Sequence, residues 1–383
     1  MVASPRQIHC QRLPIRRQHL RTASSQLVQQ SSALSRRAVC CLFGAAAAVL
    51  ACHSRQENFV WHGRSSTEQR QQQDDALLQR RGVIAGTAAT WAAPALSSPS
   101  HAESSVKVGG EKVTLANGMP FEVASFGLQV YSDRTAEALT KMSLEVGYRN
   151  FFSSVLAQNQ VGFARGVKDS NVPRSEMFIC GSVLSNNARS YDSAYKLTKK
   201  GCDENLEAFA AGGIDYVDMI MLDYPAKSCA AIQGQWKAFE EMLAAGKTRS
   251  LAVSNFSPQQ LDCLLEDPSA TRPVLNQMLY GVGYENEDVV EQNKQRGIVV
   301  QAWSPLGNLY GGPFAGGKVR STCEEIGKRY GKSAAQVALK WIEQTGATFT
   351  TQTRKREHFV EDLDIFDFKL SDADMRTLSA LRA

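Results

Sequence analysis

Histidine is scarce in this sequence, and most of it lies near the amino terminus. The 383 residues contain six histidines, at positions 9, 19, 53, 62, 101 and 358. After residue 102 only His358 remains, so that segment cannot supply a multi-histidine metal site, and we expect no catalytic Ser-His pair. No C-x-x-C pair occurs among the nine cysteines, which argues against a zinc knuckle or a dithiol redox motif. We therefore predict no metal centre.

Disulfide pairing is not determined by the cysteine pattern. Four cysteines fall within residues 1–102 and five follow. Because the later five are scattered and odd in number, a disulfide is compatible with them but cannot be assigned. These five are Cys180, Cys202, Cys229, Cys263 and Cys323.

Acidic residues are missing from the first 56 residues, which contain eight arginines. This composition is typical of an organelle transit segment. An apolar run at residues 38–52 follows Arg36 and Arg37. Its length is too short to span a bilayer comfortably, so it is interpreted as a signal-peptide core.

A second targeting pattern begins at Arg80 and Arg81, which precede an alanine-rich stretch. Small residues follow near Ala102, as in a twin-arginine export signal with its cleavage site. Two signals in series predict a plastid protein sent to the thylakoid lumen. We therefore divide the chain into a disordered targeting leader, residues 1–102, and a folded domain, residues 103–383. The alternative to a targeting leader is that residues 1–102 are a disordered, low-complexity segment whose arginine pairs occur by chance.

Excess positive charge is confined to the leader. The chain has a net charge of +5, but residues 1–102 contain 12 arginines and 4 acidic residues. Residues 103–383 therefore contain 31 basic and 34 acidic residues. We expect no nucleic-acid partner, because such binding depends on basic surface, and no transmembrane span in the mature chain.

From residue 111 the hydrophobic pattern is regular. The segment "EKVTLANGMPFEV" predicts a β-hairpin about Asn117-Gly118. Eight uniformly apolar strands follow: "FGLQVY", "YRNFFSS", "EMFICGSVL", "YVDMIMLDY", "RSLAVSNF", "PVLNQMLY", "GIVVQAWSPL" and "ATFTTQT". Amphipathic helical stretches alternate with them at residues 135–146, 161–168, 191–211, 232–245, 258–265, 287–296, 333–344 and 357–363.

Eight such units predict an α/β fold, a (β/α)8 TIM barrel with an N-terminal β-hairpin. A C-terminal extra helix is predicted after the N-cap residue Ser371. No G-x-G-x-x-G follows a strand, which argues against a Rossmann half. In such barrels chemistry occurs where the strands end at the carboxyl face.

Several stretches together resemble the aldo-keto reductase family over residues 111–383. They are "GYRNF" (147–151), "DYVDMIMLDYP" (215–225), "AAGKTRSLAVSNF" (244–256), "NQMLY" (276–280), "WSPLG" (303–307) and "KLSDADM" (369–375). The resemblance implies a barrel that binds NADPH and reduces aldehydes or ketones without a metal.

The family's reaction rests on an aspartate, a tyrosine, a lysine and a histidine, which protonate and orient the carbonyl. At the matching positions this chain has Phe152, Ala157, Ser182 and Asp223. Two of these carry no exchangeable proton, and a carboxylate at Asp223 would repel a developing alkoxide. The resemblance therefore predicts that the family mechanism is lost.

Three other side chains were considered as substitutes. Tyr131 and Tyr224 are the nearest phenols, but strand alternation directs Tyr224 away from Asp223, and Tyr131 matches a pocket-wall aromatic. Cys180 is interpreted as a small buried apolar residue, since no nearby group would lower its thiol pKa.

The resemblance also assigns cofactor contacts. At the nicotinamide and pyrophosphate end the matching residues are Ser254, Asn255, Gln277, Trp303, Ser304 and Leu306. At the adenosine end Thr353 and Glu361 match, while Gln352, His358 and Asp362 replace a lysine, an arginine and an asparagine. NADP(H) is therefore expected to bind weakly or not at all. The run Arg354-Lys355-Arg356 is interpreted as a solvated loop, although it could restore positive charge.

Three functions follow from these residues. The first is a non-catalytic aldo-keto-reductase-like protein with a binding or structural role in the plastid, and the leader suggests a thylakoid membrane complex as partner. The second is an NADPH-dependent oxidoreductase with a non-standard proton donor. The third is a sensor that binds the dinucleotide without turning it over.

Overall fold

A closed barrel of eight parallel strands forms the body of the protein. The structure is a computed structural model that describes residues 108–284, 288–310 and 317–382. Around the barrel the strands follow the order β10-β3-β4-β5-β6-β7-β8-β9. They span β3 Ala124–Gly127, β4 Asn150–Ser153, β5 Phe178–Val183, β6 Met219–Asp223, β7 Leu251–Ser254, β8 Leu275–Leu279, β9 Val299–Trp303 and β10 Thr348–Thr351. The predicted (β/α)8 barrel is confirmed.

Helices cover the outside of the barrel. They are α1 Asp133–Val146, α2 Gln160–Asp169, α3 Tyr191–Ala210, α4 Cys229–Ala244, α5 Pro258–Leu265, α6 Val289–Lys294, α7 Gly307–Tyr310, α8 Gly317–Tyr330, α9 Ala334–Gln344, α10 Arg356–Leu363 and the predicted C-terminal helix α11 Asp372–Ser379. A 3-10 turn at Val155–Ala157 follows β4, and a second one at Arg174–Glu176 precedes β5.

Strand alternation separates two apolar cores. On β6, Met219 and Met221 belong to a cluster inside the barrel, whereas Ile220 and Leu222 pack in the layer between strands and helices. Successive side chains on a strand point to opposite faces, so the next residue, Asp223, faces the barrel axis. In the same way, the last inward-facing side chain of each strand lies at the barrel mouth.

The predicted hairpin closes the opposite end of the barrel. Strand β1, Lys112–Thr114, pairs antiparallel with β2, Pro120–Glu122, and Gly118 in the turn has a φ of +81°. Phe121 lies in the interior cluster, and Asn117 Nδ2 donates to Ser250 Oγ at 2.9 Å just before β7. The hairpin therefore covers the amino ends of the strands and leaves the carboxyl ends open.

One predicted strand was wrong in its bounds, and one long helix was not predicted. The first barrel strand is Ala124–Gly127, not residues 126–131, because it follows the hairpin after a single residue. Helix α8 was not predicted at all. Its buried residues Val319, Cys323 and Ile326 have helical spacing, but glycines at both ends of that pattern, such as Gly327, weaken the helical signal.

The cysteine pairing that the sequence left open is resolved by the fold. Cys229 at the start of α4 forms a disulfide with Cys263 in α5, with their Cα atoms 5.7 Å apart. Cys180, Cys202 and Cys323 are buried free thiols. Cys180 lies in the interior apolar cluster, and burial raises its thiol pKa well above the usual value. It is therefore a small core residue, as interpreted from the sequence.

No helix of the described residues is both long and apolar enough to cross a bilayer. No group of three or more metal-ligating side chains occurs in the same ranges. The predicted targeting leader lies outside the described residues.

We expect Gly162→Ala to destabilise the barrel. A Cβ at Gly162 would lie 1.9 Å from the backbone oxygen of Asp133, so α1 and α2 would have to separate. Overpacking of this kind costs about 1–3 kcal/mol in the free energy of unfolding, which urea denaturation measures. Gly317→Ala is the matched control, since no heavy atom lies within 4 Å of its Cβ position. Equal effects of both substitutions would contradict the close packing.

Candidate active site

Asp223 is the charged group at the centre of the barrel mouth. Its side chain ends β6 facing inward, and the residue is only 4% exposed. Ser154 Oγ donates to Asp223 Oδ2 at 3.5 Å, and the Ser254 hydroxyl also bonds the carboxyl group. Desolvation raises the pKa of Asp223 from 3.8 to about 6, against the opposing effect of these two hydroxyls. The carboxyl group is therefore not the fully ionised group that an exposed aspartate would be.

A chain of hydrogen bonds runs from Asp223 towards β5. Ser182 Oγ donates to Ser154 Oγ at 3.3 Å and accepts from the backbone N–H of Val155 at 3.2 Å. Ser182 therefore supports Asp223 through Ser154. Ser182, which the resemblance matches to the family's lysine, thus has hydrogen-bond partners within the protein.

The chain continues on the other side towards β9. Asn255 Nδ2 donates to Ser254 Oγ at 2.8 Å, and Trp303 Nε1 donates to Asn255 Oδ1 at 3.0 Å. On the neighbouring strand, Gln277 Nε2 donates to Gln301 Oε1 at 2.8 Å. The three side chains predicted to hold a carboxamide thus already share hydrogen bonds with neighbouring protein groups.

Left-handed backbone conformations cluster at this face. Tyr224, Asn255 and Ser304 directly follow β6, β7 and β9, and their φ angles are 69°, 60° and 53°. Such a conformation costs a non-glycine residue about 1–2 kcal/mol. Strain concentrated at the ends of three strands is typical of a functional face.

A cleft of about 620 Å³ opens beside this network. One end is lined by Phe152, Trp303, Ser304 and Leu306, and we call it the tryptophan end. Its volume lies within the usual range for small-molecule sites. Ser254, Asn255 and Gln277 do not line the cleft. Trp303 connects Asn255, and through it Ser254, to the cleft.

The other end of the cleft is built from the loop after β10 and from α10. Its lining residues are Gln352, Thr353, His358, Glu361 and Asp362, and we call it the acidic end. His358 Nδ1 lies 3.1 Å from Thr353 Oγ1. Two acidic side chains thus occupy the end that the family resemblance assigns to adenosine.

Asp362 is buried within the acidic end. Tyr148 Oη donates to Asp362 Oδ2 at 3.4 Å. Desolvation, together with the charge of Glu361, raises the pKa of Asp362 to about 7. Tyr148 and the barrel residue Thr350 were not singled out from the sequence. Thr350 lines the cleft, but its Oγ1 is buried and has no hydrogen-bond partner among the described residues.

Neither phenol considered as a substitute acid lines the cleft. Tyr131 Oη donates to the backbone oxygen of Thr353 at 3.0 Å, and burial raises the Tyr131 pKa further above its usual value. Burial also raises the pKa of Tyr224, which sits on the strained turn after Asp223. Ala157 ends a half-buried 3-10 turn and presents only a methyl group. None of these groups is placed to release a proton into the cleft.

Comparison with known proteins decides the family. The aldo/keto reductase family model matches residues 123–383. The chain belongs to the aldo/keto reductase family. It is 31% identical over 274 residues to glyoxal reductase of Bacillus subtilis, a match that covers 71% of this chain and 92% of that protein.

Other relatives agree with this assignment. Morphine 6-dehydrogenase of Pseudomonas putida is 31% identical over 70% of this chain and 90% of its own length. A crystal structure of an aldo/keto reductase from Brucella melitensis superposes with a TM-score of 0.63 at 27% identity, covering 70% of this chain and 98% of that chain.

Aldo/keto reductases generally bind NADP(H), and the cleft fits this group only in part. The tryptophan end offers the flat aromatic ring of Trp303. At the acidic end, by contrast, no lysine or arginine is among the described lining residues. The described lining residues there therefore offer a 2′-phosphate no cation to pair with.

We expect Asp223→Asn to stabilise this aldo/keto reductase at high pH. The folded state binds a proton more tightly than the unfolded chain, so the free energy of unfolding falls as pH rises from 3.8 to about 6 and stays lower above. Asparagine does not titrate and avoids this fall. The variant should therefore be more stable than the native chain by roughly 2–3 kcal/mol at pH 8, and should differ little from it below pH 4. Urea denaturation at both pH values measures the difference.

Asp262→Asn is the matched control. Asp262 is exposed, and its ion pair with Arg296 lowers its pKa. Loss of this ion pair should slightly reduce the free energy of unfolding at pH 8. If the Asp223→Asn variant were no more stable than the native chain at pH 8, Asp223 would not have the raised pKa of a buried carboxyl group.

Proposed function

We propose that this aldo/keto reductase is non-catalytic and has a binding or structural role. The observation that carries the proposal is the interior side-chain layer at the barrel mouth. The four family positions hold Phe152, Ala157, Ser182 and Asp223, and no lysine is among the described residues that line the cleft. Tyr310 is the one tyrosine among the described residues that line the cleft, and burial raises its pKa although the charge of Arg320 opposes that shift. A carbonyl bound beside Trp303 would therefore meet no phenol that is more acidic than usual.

The chemical loss is large by general standards. Removing a general acid slows proton transfer about 10²–10⁴-fold. Removing a group that stabilises the developing oxyanion costs roughly 3–4 kcal/mol more. The hydrogen bonds of Ser182 and Asp223 support the same conclusion. Both side chains bond to Ser154 and not to a group in the cleft.

We expect no turnover when the full-length chain is incubated with NADPH and an activated aromatic aldehyde. The rate of NADPH oxidation, followed by absorbance, should equal that of a solution without the protein. Binding without turnover, seen as a change in NADPH fluorescence, would favour the sensor role over a purely structural one. Turnover above the background would refute the non-catalytic proposal.

A second candidate is an oxidoreductase in which Asp223 replaces the usual proton donor. The elevated pKa of about 6 favours it, since a neutral carboxyl group can protonate a carbonyl oxygen. If this candidate is correct, turnover should fall as pH rises above 6, and Asp223→Asn should abolish it. Ser154→Ala is the companion variant: it removes a donor to the carboxylate, so the pH profile should shift upwards.

We also propose a plastid location, in the thylakoid lumen, with a membrane complex as partner. The support is the two successive targeting patterns of the leader, with Arg80 and Arg81 opening the second. A charged dinucleotide does not cross a lipid core unaided. A lumenal protein would therefore receive NADP(H) only if it were exported already loaded, which agrees with weak or absent binding.

We expect the mature chain to begin close to residue 103. Expression of the full-length sequence in plant plastids, followed by fractionation and amino-terminal sequencing, tests this directly. Substituting Arg80 and Arg81 by lysine should hold the protein outside the lumen, because twin-arginine export requires the arginine pair. Substituting Arg36 and Arg37 is the matched control. Protein that is recovered from the lumen with residue 80 still attached would contradict the predicted cleavage.

A further inference from the structure

Exposed apolar side chains are concentrated on one side of the barrel mouth. Eight large hydrophobic residues are exposed among the described residues, and five of these eight belong to the loops after β3, β4 and β5 or to the first turns of the helices that follow. Their exposed fractions range from 37% to 53%. Single exposed apolar residues are normal on a protein surface, whereas a group on one side indicates an interaction surface. The five are Val130, Leu156, Val161, Leu184 and Tyr191.

The order of the strands makes these loops neighbours. Strands β3, β4 and β5 are consecutive in the closed barrel, with β10 before them and β6 after them. Loops that follow parallel strands all leave the barrel at its carboxyl face, where the next helices also begin. The loops after these five strands therefore form a continuous part of the rim. We call it the rim arc, and with the first two residues of each following helix it comprises residues 128–134, 154–161, 184–192, 224–230 and 352–357.

The rim arc is also basic. It contains six basic and three acidic residues, a net charge of +3. Basic residues lie on both sides of the exposed apolar ones, because Lys227 follows β6 and the run Arg354-Lys355-Arg356 follows β10. All four of these residues are exposed, and so is Arg189 in the loop after β5. The rim arc therefore has an apolar centre and basic flanks.

The opposite side of the mouth differs in charge. The loop after β8 lies across the barrel from the loop after β4. Its described part contains Asp288 and no basic residue. Exposed apolar side chains and positive charge therefore coincide on the rim arc, and the charge changes sign across the mouth.

The combination of apolar area and positive charge narrows the kind of partner. A symmetric contact between two copies of the chain would bring a positively charged surface against itself, which is unfavourable. A bilayer with anionic headgroups accepts both features. Apolar side chains enter the boundary between headgroups and acyl chains, while basic side chains stay at the level of the lipid phosphates.

We propose that the rim arc binds the surface of an anionic lipid bilayer. Leu156 and Leu184 enter the boundary between headgroups and acyl chains, and Arg189 and Lys227 lie near the lipid phosphates. The inference concerns a lipid surface and not the protein partner proposed above. It holds whether or not the cleft turns over a substrate.

Flotation of the full-length chain with lipid vesicles tests the inference. One set of vesicles is phosphatidylcholine alone, and the other also contains the anionic lipid phosphatidylglycerol. The native chain should bind the anionic vesicles more tightly. Residues 1–102 are themselves basic, so each comparison is made between full-length chains that share this segment.

Removal of the apolar centre should weaken binding. Leu156→Ser combined with Leu184→Ser should lower the affinity for anionic vesicles about tenfold, because two apolar side chains no longer leave water. Leu197→Ser is the matched control and should bind like the native chain. Leu197 is 48% exposed but lies in the middle of α3, away from the rim arc. Thermal unfolding of each variant checks that the barrel remains folded.

Removal of the positive charge is an independent test. Arg189→Gln combined with Lys227→Gln should lower the affinity about tenfold or more at low salt, and high salt should remove this difference. Lys168→Gln combined with Lys294→Gln is the control of equal charge. These two lysines are exposed in the last turns of α2 and α6, at the opposite face of the barrel.

Hydrogen exchange of the full-length chain locates the contact. Anionic vesicles should slow amide exchange in residues 154–163 and 184–192 of the native chain, and should not do so in the double leucine variant. Poly-glutamate replaces the vesicles in a parallel measurement. Equal slowing by this soluble polyanion would assign the rim arc to an acidic protein partner and overturn the inference.

Three further outcomes would overturn it. The first is equal vesicle binding by the double leucine variant and by Leu197→Ser. The second is unchanged exchange in both segments when vesicles are added. The third is self-association of the native chain without vesicles that the double leucine variant loses, because the rim arc would then bind a second copy. The assay of NADPH turnover tests the non-catalytic proposal separately.

Discussion

Closure of the barrel is the constraint from which the site follows. Eight parallel strands, each alternating its side chains in and out, must send one side chain per strand end to the same small region around the axis. At the carboxyl face these side chains include Phe152, Asp223, Ser254 and Trp303. Since the hairpin covers the other end, the one open face of the barrel holds whatever chemistry the fold can offer. The identity of a few strand-terminal residues therefore decides the function.

A buried carboxyl group at this position needs compensation, and the protein supplies it locally. Two serine hydroxyls contact Asp223, and their own partners extend the hydrogen bonding to the backbone of Val155 on one side and to Trp303 on the other. An isolated charge in an apolar interior would be far more costly than one that is partly neutralised and hydrogen-bonded. The polar network thus explains how an aspartate is retained beside the apolar interior core.

The cleft combines two ends with different chemistry. The tryptophan end is lined by Phe152, Trp303 and Leu306, whereas the acidic end includes Glu361 and Asp362. The fold tolerates a buried carboxyl group at Asp362 because it pairs with Tyr148 and because burial raises its pKa to about 7.

The sequence by itself determined the barrel, the hairpin and the family, because strand periodicity and turn residues are local signals. It also limited the chemistry of the barrel mouth, since no arrangement of the chain can place an exchangeable proton on the side chain of Phe152. It did not determine the Cys229–Cys263 disulfide or the partners of Asp223. These depend on contacts between residues far apart in the chain, and the pKa of Asp223 depends on the desolvation that only the closed barrel imposes.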